Sequence, residues 1–142
     1  MSPKFSVEKY TPELGEEIRE VGLTWWKGEE LDIAFSVYDS LQQQGLLSIF
    51  TIRDEEKLVG YAVFIISVSP FTGRSQAYCE TWGVKEEYRN AWMVLKFLKY
   101  ICKKLDFVKE ILMGSNPDHD LEPLYKRAGF KKSMILHGCI RD

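Results

Sequence analysis

Cysteine and histidine are scarce in this chain of 142 residues: the 3 cysteines, Cys79, Cys102 and Cys139, lie far apart, with only 2 histidines, His119 and His137, for company. An odd number of widely spaced thiols supports no disulfide framework, and so few ligands at such spacing support no zinc site. Cys79 and Cys102 read instead as buried packing residues. No apolar stretch is long enough to cross a bilayer, and the start Met1-Ser-Pro-Lys-Phe5 lacks an apolar signal core. A strong charge of either sign is also missing. The 19 Lys and Arg against 21 Asp and Glu leave a formal net charge of -2, so nothing draws the whole chain to nucleic acid or to an anionic membrane. No repeat, low-complexity tract or flexible linker interrupts the sequence. Together these absences predict an intracellular, cytoplasmic protein that binds neither nucleic acid nor membrane.

What is present suffices for one domain, residues 1–142. With 45% hydrophobic residues, a chain of this size buries roughly 70% of its unfolded surface without subdividing. Phe5-Ser-Val7 reads as a first edge strand. Thr11-Pro12 then supplies a helix cap followed by the residue best suited to a first turn, and Leu14, Ile18, Val21 and Trp25 form the apolar stripe of a helix ending near Lys27-Gly28. A second helix is expected over Glu30–Gln44, with Ile33, Ala34, Val37 and Leu41 on its apolar face and Gly45 as its stop. Strands follow at Leu46–Arg53, Leu58–Ser69 and Ser75–Val84, the last with Tyr78, Glu80, Trp82 and Val84 alternating onto one face.

The stretch Glu80–Leu105 organises the rest, as a strand end, a tight polar turn and a long helix. Val94, Phe97, Leu98, Ile101 and Leu105 follow one helical face, while Lys96, Lys99, Lys103 and Lys104 keep largely to the other, a solvated surface first of all. Asn90 is placed to cap the free N–H groups of the first turn. A strand running into a helix N-terminus presents backbone donors and the positive end of a dipole, which suits a phosphate. Beyond the helix come a strand at Val108–Met113, a short helix at Asp120–Ala128 and a final strand at Phe130–Ile140. The result is an α/β (α+β) fold, a mixed and mostly antiparallel sheet flanked by helices.

Val84-Lys-Glu-Glu-Tyr-Arg89 resembles the V-x-P-E-Y-R segment that leads into the acyl-CoA pyrophosphate loop of GCN5-related N-acetyltransferases (GNATs). Leu124-Tyr-Lys-Arg-Ala-Gly-Phe130 is similar to that family's L-Y-x-x-x-G-F segment, the more specific of the two, and Asn116 stands between them in the family's order. The resemblance runs from about Leu46 onward. It implies transfer of an acetyl group from acetyl-CoA to an amine acceptor, either a small molecule or a protein. Glu80 is then the base that takes the amine's proton, and Tyr125 the acid that protonates the coenzyme sulfur. Trp82, Gly83 and Val84 would pair with the pantetheine arm like an added strand. Arg89, Asn90 and the N–H groups of Ala91, Trp92, Met93 and Val94 would hold the pyrophosphate, and Asn116 would contact the coenzyme.

Two departures from the family pattern point to a second reading. The family loop continues from its arginine as R-x-x-G-x-G/A, but Trp92 and Val94 occupy the two small positions here. Glycine there allows close backbone approach, so an indole in the path predicts weak acetyl-CoA binding. The family also usually ends in two strands after G-F, where this chain has room for one long strand or a cramped pair. An uncovered edge predicts self-association as a homodimer or larger assembly. The alternative is therefore a protein of this fold without catalysis, an interaction or structural component such as the small acyltransferase-like proteins of bacteriophage virions.

Overall fold

Alternation along the strands sorts side chains onto the two faces of one sheet, and helices cover both faces. The computed structural model describes residues 3–25, 34–114, 121–133, 137–139 and 141. Its elements in chain order are β1 (Lys4–Glu8), α1 (Pro12–Trp25), α2 (Phe35–Gln43), β2 (Leu47–Asp54), β3 (Lys57–Val68), β4 (Ser75–Val84), a single 3-10 turn (Glu86–Tyr88), α3 (Ala91–Lys104), β5 (Glu110–Leu112) and α4 (Glu122–Arg127). The strands lie in the order β1-β2-β3-β4-β5, antiparallel through β4, with β5 parallel to β4.

Under α1 and α2, Leu14, Ile18 and Val21 pack on Leu47, Ile49, Leu58, Tyr61 and Val63. Under α3 and α4, Val94, Phe97, Leu98 and Ile101 pack on Phe50, Ile52, Phe64 and Ala77. The α3 stripe is buried as expected, and so are Leu14, Ile18 and Val21 of the α1 stripe; the side chain of Trp25 and the expected helix end at Lys27-Gly28 lie outside the described residues. Thr11 caps α1, its hydroxyl accepting the Leu14 N–H at 3.1 Å.

The α2 face differs from expectation. Phe35, Tyr38 and Leu41 pack inward, whereas Val37 is exposed; Ile33 lies outside the described residues. Both stripes have helical spacing, and the aromatic one covers more surface. It also fits its neighbour, because Gly15 leaves room for the Phe35 ring: a Cβ at residue 15 would stand 2.6 Å from it.

Register shifts mark two bulges. Ile52 pairs with Gly60 and Arg53 with Leu58, leaving Val59 as an extra residue. Val63 pairs with Thr81 but Phe64 with Cys79, so Glu80 is extra in β4. This second bulge corrects the expected alternation: Ala77 and Cys79, followed by Trp82 and Val84, all enter the core beneath α3, and Tyr78 and Glu80 do not share that face. The C-terminal strand is a further correction. Residues 130–133, 137–139 and 141 form no strand, and 134–136 and 140 lie outside the described residues. Lys131-Lys132-Ser133 is polar and exposed, and so offers no apolar face to a sheet.

Arg53 ties the N-terminal half together. Its guanidinium donates to Glu8 at 2.8 Å and to Glu17 of α1 at 2.8 Å, and also to the Glu56 carbonyl. Partial burial works to raise the Glu8 pKa. The hydrogen bonds from Arg53 and Thr51 and the Arg53 charge outweigh it and hold that carboxyl below its ordinary value. A folded pKa below the unfolded one contributes stability above the ordinary value of 4.5, lost as pH falls through the folded value. Glu8→Gln is therefore expected to lower the urea midpoint at about pH 7 and to narrow the gap between midpoints at about pH 7 and about pH 3; an unchanged gap overturns this.

The β2–β3 turn gives a second prediction. Glu55 (φ 53) and Glu56 (φ 79) fill its two-residue loop in the left-handed region, where Asn-Gly is the preferred pair. Glu56→Gly is expected to raise stability by about 0.5–1 kcal/mol, read from the urea midpoint.

Candidate active site

Beyond Tyr78 and Leu112, β4 and β5 cease to pair. Among the described residues, β3 is the strand that pairs with Cys79–Val84 and no second strand pairs along the other edge of β4, where the Val84 carbonyl accepts from Arg89. An opening between β4 and β5 begins where this pairing ends.

On the α3/α4 face it is bordered by Trp82 and Tyr125, whose ring centroids lie 6.3 Å apart. Gly129, at φ 98, ends α4 and lets the chain turn so that the Phe130 N–H bonds to the Tyr125 carbonyl. The Phe130 ring then sits 5.5 Å from that of Tyr125. The Tyr125 hydroxyl donates to the Gly114 carbonyl, just past β5, at 2.6 Å. Burial raises the phenol's pKa, the neighbouring Cys79 adds to this, and a hydrogen bond from Trp82 opposes it. Tyr125 therefore stays protonated at neutral pH. Cys79 is buried and its thiol pKa is pushed up, mainly by desolvation and then by the Glu80 charge, so it is no nucleophile.

On the α1/α2 face, the bulge leaves Glu80 exposed with its charge acting on Tyr38 of α2. The next residue, Thr81, is hydrogen-bonded at 2.9 Å to the Tyr61 hydroxyl. Glu80 and Tyr125 thus flank β4 from opposite faces, with the opening between them. Tyr38, Tyr61 and Tyr10 were absent from the sequence-based candidates; the Phe35, Tyr38, Leu41 spacing in α2 was the available signal.

At the helix N-terminus, Asn90 accepts the Met93 N–H on its side chain at 2.9 Å and the Val94 N–H on its carbonyl at 3.0 Å. The amides of Ala91 and Trp92 are the ones that helix geometry leaves without an intrahelical acceptor. Arg89 is directed back to the strand, its Nε donating to the Val84 carbonyl at 3.1 Å. The two residues at the family's small positions have opposite surroundings. Val94 is 2% exposed in the core, whereas Trp92 is 70% exposed, with the Lys96 Nζ 5.6 Å from its ring centroid. Asn116 lies outside the described residues. Among the described residues no cluster of His, Cys, Asp and Glu could hold a metal ion, and no helix is long and apolar enough to cross a membrane.

No family model and no curated protein matches the sequence. Solved structures do match the fold. An aminoglycoside acetyltransferase from an uncultured soil metagenomic sample, solved with trehalose, superposes with a TM-score of 0.78 at 12% identity, over 98% of this chain and 95% of its own. Glucosamine-6-phosphate N-acetyltransferase from Arabidopsis thaliana gives 0.71 at 13% identity, over 98% and 99%. A putative acetyltransferase from Agrobacterium tumefaciens str. C58 gives 0.74 at 17% identity, over 96% and 99%. The chain has the fold of the GCN5-related N-acetyltransferases.

The contrast between Trp92 and Val94 is testable through stability. Val94→Gly is expected to cost about 1.5–3 kcal/mol for lost burial and about 1 kcal/mol for helix propensity. Trp92→Gly should cost less, about 0.5–1 kcal/mol for the difference in helix propensity and the lost Lys96 contact. Equal losses in urea denaturation would overturn the assignment of Val94 to the core and Trp92 to solvent.

Proposed function

We propose that this protein is an N-acetyltransferase moving the acetyl group of acetyl-CoA to an amine. The observation that carries the reading is the end of β4–β5 pairing beside Cys79–Val84, a strand edge with no second strand among the described residues and suited to an extended amide-bearing arm, with a protonated phenol on one side and a carboxylate on the other. The amine nitrogen attacks the thioester carbonyl, the C–S bond breaks, and the acetyl group stays on nitrogen. Glu80 takes the proton released by the amine, and Tyr125 gives its proton to the departing thiolate, turning its hydroxyl away from the Gly114 carbonyl. The solved structures of this fold act on aminoglycosides and on glucosamine 6-phosphate, which supports an amine acceptor. One of them holds a bisubstrate analog containing CoA, which supports the coenzyme.

The pyrophosphate would rest on the Ala91 and Trp92 amides, since Asn90 already engages those of Met93 and Val94. Trp92 also places an indole beside these two donors. Acetyl-CoA binding by the wild type is accordingly weak and improves in Trp92→Gly. The noncatalytic reading, an interaction or structural protein, draws its support from this same turn, where the chain has capped its own cradle.

Calorimetric titration with acetyl-CoA, followed by thiol release with an amine panel, tests the proposal. Tyr125→Phe and Glu80→Gln should each lower kcat far more than they weaken coenzyme binding. Failure of both the wild type and Trp92→Gly to bind acetyl-CoA, with circular dichroism unchanged, rejects the enzyme in favour of the noncatalytic reading.

A further inference from the structure

Two helices on opposite sides of the sheet carry opposite charges in matching rows. On α1 the row is Glu13, Glu16, Glu20 and Leu23, all exposed and all on one helical face by their spacings of three, four and three. On α3 it is Trp92, Lys96, Lys99 and Lys103, likewise exposed, at spacings of four, three and four. Among the described residues none of these six charged side chains is in an ion pair, whereas Glu17 of α1 is paired with Arg53 and Glu122 of α4 with Lys126 and Lys132. The single basic residue of α1, Arg19, is half-buried outside the row, and α3 has no acidic residue.

The rows also agree in length and in order. At about 1.5 Å per residue, Glu13 to Leu23 spans about 15 Å and Trp92 to Lys103 about 16 Å. Laid antiparallel, Glu20 faces Lys96, Glu16 faces Lys99 and Glu13 faces Lys103. The exposed apolar residues, Leu23 at 41% and Trp92 at 70%, then meet at the same end. A parallel alignment pairs the charges too, but it sets Leu23 against Asp106 and leaves Trp92 over. Antiparallel seating also brings opposite ends of the two helix dipoles together. An unrelated polyanion would answer the lysine row alone and a polycation the glutamate row alone; a second copy of this chain answers both, together with their apolar ends.

Within one molecule the rows cannot meet, because α1 packs on one face of the sheet and α3 on the other. We propose that they meet between copies, the α1 row of one molecule seating on the α3 row of the next. The two patches differ, so the contact is head-to-tail, and each added copy presents a fresh row at the end of the series. Exposed ion pairs contribute little individually, and two helix rows of this length bury less than the roughly 1,000 Å² of a stable interface. The association is therefore weak and salt-dependent. It is independent of acetyl transfer and of coenzyme.

Sedimentation under reducing conditions tests this. At about 0.02 M salt the weight-average mass should rise above the 16.5 kDa monomer and go on rising with protein concentration. At about 0.5 M salt the association constant should fall on the order of tenfold, as the three facing pairs are screened. Two charge-reversed proteins provide the sharper measurement, Glu16→Lys with Glu20→Lys and Lys96→Glu with Lys99→Glu, all at exposed positions and checked for folding by circular dichroism. Each alone should stay monomeric at about 0.02 M salt, since its two rows then have the same sign over the reversed part. Mixed in equal amounts they should associate again to within about threefold of the wild type, because every contact between unlike copies regains opposite charges. A wild type that stays monomeric at low salt, a series that stops at a dimer, association indifferent to salt, or folded variants that each associate alone or fail to associate when mixed would overturn the proposal.

Discussion

At Glu80 the β4 backbone carries one residue more than β3 can pair with, and the sheet accommodates it by a bulge. Before it, Ala77 and Cys79 point into the core under α3; after it, Trp82 and Val84 do. A strand alternating without interruption would have turned Trp82 and Val84 toward α1, and with them the partner that Tyr125 packs on. The extra residue therefore arranges both faces of β4 at once: Trp82 meets the Tyr125 ring on one, and on the other Thr81 bonds to the Tyr61 hydroxyl while the Glu80 charge acts on Tyr38. It also coincides with the end of β4–β5 pairing just past Tyr78, so the strand bends where its outer neighbour leaves it.

The sheet separates charge as well as chemistry. α3 carries Lys96, Lys99, Lys103 and Lys104 and no acidic residue, while α1 carries Glu13, Glu16, Glu17 and Glu20 against Arg19. The near-zero net charge of the whole chain conceals this arrangement. A polyanionic coenzyme on the α3 side and a cationic acceptor on the α1/α2 side would each meet a favourable field, and each would be disfavoured on the other's face. Directionality of this kind comes from placement, not from total charge, and composition cannot reveal it.

Long periodic elements were legible in the sequence, and places where two chain segments negotiate were not. The α3 stripe from Val94 to Leu105 is buried as its spacing implies, because a helix sets its own faces. The faces of β4 depend on how many residues β3 matches against it, so the bulge at Glu80 leaves no trace in β4 alone. In α2, the Val37 stripe and the Phe35, Tyr38, Leu41 stripe have comparable periodicity, and contact with Gly15 decides between them. The fold followed from the family resemblance, which also singled out Glu80 and Tyr125. The tyrosines opposite α1 did not, because they are drawn from β1's end, α2 and β3, with no shared motif to announce them.

The contact between Gly15 and Phe35 has a consequence for how such a domain diversifies. The interval between α1 and α2 is set there by the absence of a side chain, and any Cβ at residue 15 would press on the Phe35 ring at its near edge. Phe35 and Tyr38 ride on the same helix, so residue 15 works as a shim beneath α2: thickening it lifts the Tyr38 phenol relative to Tyr61 and Glu80. The seat of α2 on the sheet can thus be retuned from residue 15, where a Cβ would meet the Phe35 and Tyr10 rings, leaving the residues at the β4 bulge untouched.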